Sequence, residues 1–414
     1  MKELLAVSWE LPPMYGPRGA QVWRSLNALG ERGWRSTVIS MAPRRGAPHW
    51  RDGRGAEPPA GTQVLRVPSP EEWTVLRALW RIAPALRQLP DAQRVWVGGA
   101  VRSARRAASA TPFTGLLTFA QPWSDHLVGL RVHRETGLPW VAHFSDPWVD
   151  NPYARAAAWQ VARWQRMETN VIREATAVVF VTEETADLVM RKYPAGLRAK
   201  AFVVPHGFQP IAVPSSTERR PGPLRLVHTG RFYAGVRTPS ALLQALALLH
   251  RREPLDGAIA LTFAGPHGSP FAEEAARLGI SALATFQGRM TREDAEALAQ
   301  DADALLVIDA PSVGPSVFLP SKLVDYLPMR KPILGLTPAQ GASATLLRRL
   351  GGVVAPPDDV EAIAAAIADL IRDWRAGVLR AGPAFDAVSR EYDIRETTAA
   401  LDAVLTRAFE RRAS

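Results

Sequence analysis

The chain has 414 residues, 47% of them apolar and 22% charged. That is length for two domains or three and enough apolar surface for a sizeable core, so wholesale disorder is excluded. The absence of cysteine removes disulfides, thiolate zinc sites, iron–sulfur clusters and cysteine nucleophiles together, and fits a reducing compartment.

No run of about 18 apolar residues is present to span a bilayer. The opening MKELLAVSWELPP reads as a first strand and is too short in its apolar part for a secretory signal. The net charge of +10 is unevenly placed: residues 1–210 carry 27 basic and 17 acidic side chains, residues 211–414 carry 23 of each. This asymmetry points to two units with different partners. The basic half is either a set of solvated arginines or a face toward anionic lipid or nucleic acid.

In chain order, Leu4–Ser8 reads as a short buried strand, followed by a Pro/Gly loop and a helix from about Gln21 to Glu31 that Gly33 ends. Ser36–Ser40, Gly115–Phe119, Trp140–Phe144, Ala177–Val181 and Ala199–Pro205 are further strands, with helical stretches after most of them. Short strands spaced by helices predict parallel βαβ units. Residues 209–223 hold four prolines without periodicity and read as a linker. The pattern then restarts with strands at Leu224–His228, Ile259–Ala264, Ala284–Gln287, Ala304–Ile308 and Pro332–Leu336. Helices are expected at Pro239–Arg251, Thr291–Gln300, Lys322–Leu327 and Val360–Trp374, with a helical tail over Ala384–Arg412. The expected architecture is α/β: two Rossmann-like doubly wound domains with a cleft between them, ligands sitting at strand carboxyl ends near the switch in strand order.

Four short segments carry residue types suited to chemistry. In the loop Pro12–Gly19, Gly16 lets backbone N–H groups approach an anion at a helix N-terminus, and Arg18 adds a cation. Arg231 and Arg237 flank a loop after a strand and can converge on one diphosphate. At the entry to a helix, Ser321 suits an N-cap and Lys322 an anion contact, and Asp325, one turn on, suits a ribose diol. His143 stands at the end of the strand Trp140–Phe144 and Asp146 just past it, where such folds place reactive groups. The pair Asp301 and Asp303 has a metal-like spacing but precedes its strand, which puts it at the opposite edge. A further stretch, Glu71–Leu89, sets Trp73, Leu76 and Trp80 beside Arg77 and Arg81, with Arg102, Arg105 and Arg106 following. It reads either as an ordinary amphipathic helix or as a lipid-facing one.

Taken in order, these features resemble GT-B fold glycosyltransferases of family GT4, the group 1 glycosyltransferases, over nearly the whole chain. The resemblance is carried by the opening strand with Gly16 and the turn Glu31-Arg32-Gly33-Trp34, and by the segment Val204–Phe208. Arg231 with Arg237, Phe286–Met290, and above all Pro320–Leu334 carry it further. It implies donor-diphosphate contacts from Gly16, Arg231, Arg237, Ser321 and Lys322, a ribose contact from Asp325, and a donor base near Gly288 and Met290. Asp325 matches the second acid of the family's E-x7-E pair, and Val317 stands where the first would be. His143 and Asp146 match a segment near the transferred sugar and are the expected catalytic residues.

The implied domains are an acceptor-binding domain over 1–208, the linker 209–223, a donor domain over 224–383, and a tail over 384–414 packing back on the first domain. The implied reaction is a retaining, metal-independent transfer of a hexosyl group from a nucleotide-diphosphate sugar to a hydroxyl acceptor, a lipid-linked or polysaccharide intermediate. No cofactor is expected beyond that co-substrate. The alternatives are a non-catalytic nucleotide-sugar-binding protein and a sugar-nucleotide epimerase. Nucleic acid is not an expected partner, because no helix-turn-helix or aromatic–basic RNA motif is present. The expected location is cytoplasmic, peripheral on the inner face of the cell membrane if residues 71–106 meet anionic lipid.

Overall fold

The computed structural model describes residues 2–14, 16–43, 58, 61–70, 80–82, 87–211, 221–266, 268–312 and 314–410. It divides into two compact units, one formed by Met1–Gly207 with Ile394–Ser414, the other by Phe208–Asp393.

The first unit is built on a parallel sheet of β1 (Lys2–Val7), β2 (Trp34–Met41), β3 (Thr62–Val67), β4 (Gly115–Ala120), β5 (Trp140–Phe144), β6 (Ala177–Phe180) and β7 (Ala201–Val203), in the order β3-β2-β1-β4-β5-β6-β7. The central strands β1, β4, β5 and β6 read as largely apolar runs because both faces of the sheet are covered there. Leu5, Val7 and Ile39 enter one core while Leu4, Ala6 and Val38 enter the core on the other face. The helix α1 (Pro17–Glu31) starts on Pro17, whose fixed φ and missing N–H suit a first helical position. Gly33, at φ +85, turns the chain into β2 in a conformation that side chains with a Cβ rarely adopt. Next come α2 (Val97–Ala110) and α3 (Ser124–Thr136).

The second unit repeats the plan with β8 (Leu224–Thr229), β9 (Ile259–Ala264), β10 (Ala284–Gly288), β11 (Ala304–Ile308), β12 (Ile333–Leu336) and β13 (Val353–Ala355), all parallel and ordered β10-β9-β8-β11-β12-β13. Its helices include α4 (Ser240–Arg252), α5 (Arg292–Asp301), α6 (Ser321–Tyr326) and α7 (Val360–Arg375). In each unit the strand order reverses beside the first strand, at β1/β4 and at β8/β11. At such a switch adjacent crossovers leave on opposite faces and open a crevice at the carboxyl ends.

Several elements depart from the sequence expectation. β3, α2 and β13 carry no apolar run long enough to stand out, and form because the neighbouring strand or helix covers them. The tail is not one helix. Phe385–Arg390 belongs to the second unit, and only α8 (Ile394–Glu410) joins the first. Phe208 donates its N–H to the Tyr392 carbonyl at 2.8 Å, so both ends of the second unit's chain run together there. In α8, Leu401, Val404, Leu405, Ala408 and Phe409 follow helical spacing and fill the core of Leu4, Ala6 and Trp34. Phe409 meets the Trp34 ring edge-on at 5.9 Å. Full burial of such side chains contributes about 1.5–3 kcal/mol each.

Of the arginine–tryptophan stretch, residues 71–79 and 83–86 lie outside the described residues. Arg102, Arg105 and Arg106 are exposed on α2, where Arg105 pairs with Glu135 at 3.1 Å. Among the described residues no helix is long and apolar enough to cross a membrane.

Candidate functional site

In the first unit, the carboxyl ends of β1, β4 and β5 hold a cluster of ionisable groups around Arg18. Arg18 is in the first turn of α1, and its Nη2 lies 3.1 Å from His143 Nδ1 and 3.4 Å from the His143 carbonyl oxygen. A guanidinium only donates, so Nδ1 accepts, and a neutral imidazole then carries its proton on Nε2. Burial, and then the charge of Arg18, hold the His143 pKa well below its usual value. Burial also draws Arg18 down to about 10, against the opposing pull of Asp146, Asp125 and Glu10. His206 stacks on His143 with ring centres 6.2 Å apart.

Asp146 accepts hydrogen bonds from Gln121 Nε2 at 3.2 Å and Ser145 Oγ at 3.1 Å. Burial raises its pKa, with Ser145 and Arg18 opposing. His143 and Asp146 thus share the field of one arginine.

Gly16 is differently engaged from the sequence expectation of an open phosphate contact. The Glu10 carboxylate accepts from the backbone N–H groups of Gly16 and Gly19, and a Cβ on Gly16 would collide with it. The loop's glycine therefore makes room for a carboxylate of the chain itself, which takes the amide position expected to meet a ligand. Sequence reasoning also missed Asp125 and His126, both fully buried at the start of α3. Asp125 Oδ2 accepts the Trp9 N–H at 2.8 Å, while Oδ1 has no hydrogen-bond partner among the described residues. Burial pushes this carboxyl well up. The only signal was two adjacent polar residues entering an otherwise buried helix face.

In the second unit, the ends of β8 and β11 and the start of α6 bring a cationic group together. Gly230 follows β8 at φ +138, and the Lys322 ammonium occupies the space that a Cβ there would need. Gly265, at the end of β9, packs against the Gly230 carbonyl so closely that a side chain would not fit, and donates its N–H to Gly288 at 2.8 Å. Tyr326 Oη accepts the Thr229 N–H at 2.8 Å, which pins α6 to the end of β8. Withdrawal from water draws Lys322 down to about 7; Arg237 adds to this and Asp309 opposes it. Asp309 is buried and accepts from Thr337 Oγ1 at 3.0 Å.

Arg237 lies 4.9 Å over the Tyr233 ring and donates to the Arg231 carbonyl at 3.4 Å. The Arg231 side chain is exposed. Ser321 is the first helical residue and not the cap: Pro320 holds that position, and among the described residues no side chain caps the helix. Asp325 acts electrostatically on Arg292 at the start of α5. Gly288, at φ +71, ends β10, and Met290 is half-buried two residues on. Asp303 accepts from the backbone and side chain of Arg225 at 2.7–3.0 Å, and Asp301 from its Nη1 at 2.9 Å. Both aspartates stand at the amino-terminal edge of the sheet, and among the described residues no group of three or more His, Asp or Glu is placed to hold a metal ion.

Residues 223–373 match the family model of group 1 glycosyl transferases. No curated protein sequence matches the chain. Among solved structures, sucrose-phosphate synthase from Thermosynechococcus elongatus superposes with a TM-score of 0.70 at 16% identity, covering 100% of both chains. HepE of Anabaena, solved in complex with UDP and glucose, gives 0.66 at 15% identity over 98% of this chain and 100% of its own. WaaG, a glycosyltransferase involved in lipopolysaccharide biosynthesis, gives 0.59 at 15% identity over 99% of each chain. The fold is the two-domain GT-B fold with Rossmann-like units, and the residues that match the group 1 glycosyl transferase model lie within the second unit.

Proposed function

We propose that this protein is a glycosyltransferase that moves a hexosyl group from a nucleotide-diphosphate sugar to a hydroxyl acceptor, with retention of configuration and without a metal. The observation that carries the reading is the meeting of Lys322, Arg237 and the bare backbone of Gly230 at the strand-order switch of the family-matched unit. Negative charge grows on the departing diphosphate, and fixed cations that need no reorganisation stabilise it most where water is excluded. Arg231 and Ser321 extend this anion site, Asp325 takes the ribose, and the backbone at Gly288 and Met290 lies toward the base. HepE was solved with UDP and glucose, which makes UDP-glucose the first donor to try.

In this reading the first unit takes the acceptor, a lipid-linked or polysaccharide intermediate, from the cytoplasmic side. Arg18 fixes the His143 ring so that Nε2–H is available as a hydrogen-bond donor, and Asp146 is the neighbouring acceptor. Residues 71–106 are the proposed contact with anionic lipid. The deciding experiment incubates the full chain with a panel of nucleotide sugars and follows binding by calorimetry and nucleotide release by coupled assay. Release from one sugar, faster with acceptor present, is the expected outcome, and absence of both binding and release sinks the reading. Binding without release would favour a non-catalytic nucleotide-sugar protein, for which the buried apolar Val317 at the first acid's position is the specific motive.

A further inference from the structure

The strand leading into the proposed anion site, β8, carries at its penultimate position a histidine that the reaction just described does not use. His228 is 1% exposed, and both of its ring nitrogens are engaged. Nδ1 lies 3.0 Å from the Leu306 carbonyl oxygen on β11. A carbonyl only accepts, so Nδ1 carries a proton. Burial, and then Lys322, hold the His228 pKa well below its ordinary value, so the ring is neutral and Nε2 presents a lone pair. That lone pair lies 3.1 Å from Lys322 Nζ. The ring cannot swing away: Phe232 stacks on it at 5.3 Å with planes 8° apart, and Phe263 meets it at 6.1 Å nearly edge-on.

We infer that His228 is a positioning residue of the anion site: locked by Leu306 as its Nδ1–H tautomer, it accepts a hydrogen bond from Lys322 and holds that ammonium beside Gly230 before the ligand arrives. The inference rests on the diphosphate reading of this site and adds a consequence to it, that ligand binding is coupled to proton uptake. The groups facing Lys322 are His228 from β8, Arg237 from the loop after it and Asp309 from the end of β11. On the lysine's own helix, Asp325 acts instead on Arg292 and Tyr326. With Lys322 near 7 in the free protein, part of the population lacks its ammonium at neutral pH, and an arriving diphosphate restores it. The His228 acceptor favours the protonated lysine, since a hydrogen bond to a charged group is among the stronger ones. Affinity for a diphosphate therefore falls as pH rises through the free lysine's pKa.

The test is calorimetry of UDP binding to the full chain from pH 5.5 to 8.5, in buffers of different ionisation heat. The parent is expected to take up about one proton per UDP at pH 8. In His228→Phe, which keeps an aromatic ring and removes the acceptor, the fall in affinity should begin at lower pH. Its UDP affinity should then be about tenfold weaker than the parent's at pH 8 and equal to it at pH 5.5. A loss of equal size at every pH marks a merely structural role and overturns the inference, as does binding without proton uptake; in both cases the diphosphate reading stands. If the parent binds no nucleoside diphosphate at any pH, that reading fails and this one with it. The parent protein gives an independent readout should the variant not fold. Long-range proton–nitrogen NMR should show His228 protonated on Nδ1 alone, with Nε2 shifting on addition of UDP, and a proton on Nε2 overturns the assignment.

Discussion

Arg18 points a donor at Nδ1 of His143 from 3.1 Å, which leaves the imidazole no neutral form except the one protonated at Nε2. Burial and the adjacent guanidinium both oppose a positive charge on this ring. His143 should therefore show no titration between about pH 5 and 8, where an unperturbed histidine with a pKa near 6.5 would change charge. Ring proton shifts measured across that range are the check, and a midpoint near 6.5 would remove Arg18 from its proposed role.

Arg237 and Arg231 flank the same loop, but only Arg237 acts electrostatically on Lys322, Asp309 and His228. Arg237→Ala should cost about 2–4 kcal/mol of transition-state stabilisation, as expected for a preorganised donor to a developing anion. The exposed Arg231 should cost less when replaced by alanine. Ratios of kcat/KM against the parent decide it, and the reverse ranking would show that the loop rearranges around the ligand.

Asp325 lies one helical turn beyond Ser321 on α6. If it takes the ribose, Asp325→Ala removes a contact made equally in ground and transition states. Donor KM should then rise while kcat changes little. Steady-state kinetics over donor concentration provide the measurement, and an unchanged KM speaks against the contact.

Asp125 is a carboxylate inside the first unit whose pKa burial raises well above 3.8. The folded state disfavours its ionised form, so the parent loses stability as pH rises from the unfolded pKa through the folded one. Asp125→Asn keeps an oxygen for the Trp9 N–H and cannot ionise. Its melting temperature should gain on the parent's across that window and hold a constant lead above it. A pH-independent difference would mean that this carboxyl is not held neutral.

Phe409 closes the core beneath β1 from the far end of the chain. Phe409→Ala should destabilise the first unit by about 3–5 kcal/mol through lost burial and the cavity left behind. Urea unfolding followed by tryptophan fluorescence reads this directly, because the Trp34 ring lies against the deleted side chain.

Much of the site was legible in the sequence for a specific reason. Trp140–Phe144, Ile259–Ala264 and Ala304–Ile308 form strands with the bounds their β-rich runs announce, since strands of a parallel sheet covered by helices are apolar at most positions. Lys322 and Arg237 could be found because a cation beside a strand-to-helix turn is a local pattern. His228 could not: nothing in Leu224–Thr229 says that its ring meets a lysine 94 residues away. Ser321 looked like a cap because serine favours that position, yet the backbone at Pro320 takes it.

The sequence by itself determined the two α/β units, the parallel sheets and the glycine-lined turns, because these follow from period, burial and backbone freedom over short spans. Tertiary structure alone decided that Glu10 fills the amides of Gly16 and Gly19, that Arg18 fixes the His143 tautomer, and that His228 meets Lys322. Each of those outcomes is a competition for one hydrogen-bonding position, and the winner depends on which groups the strand order brings within about 3 Å.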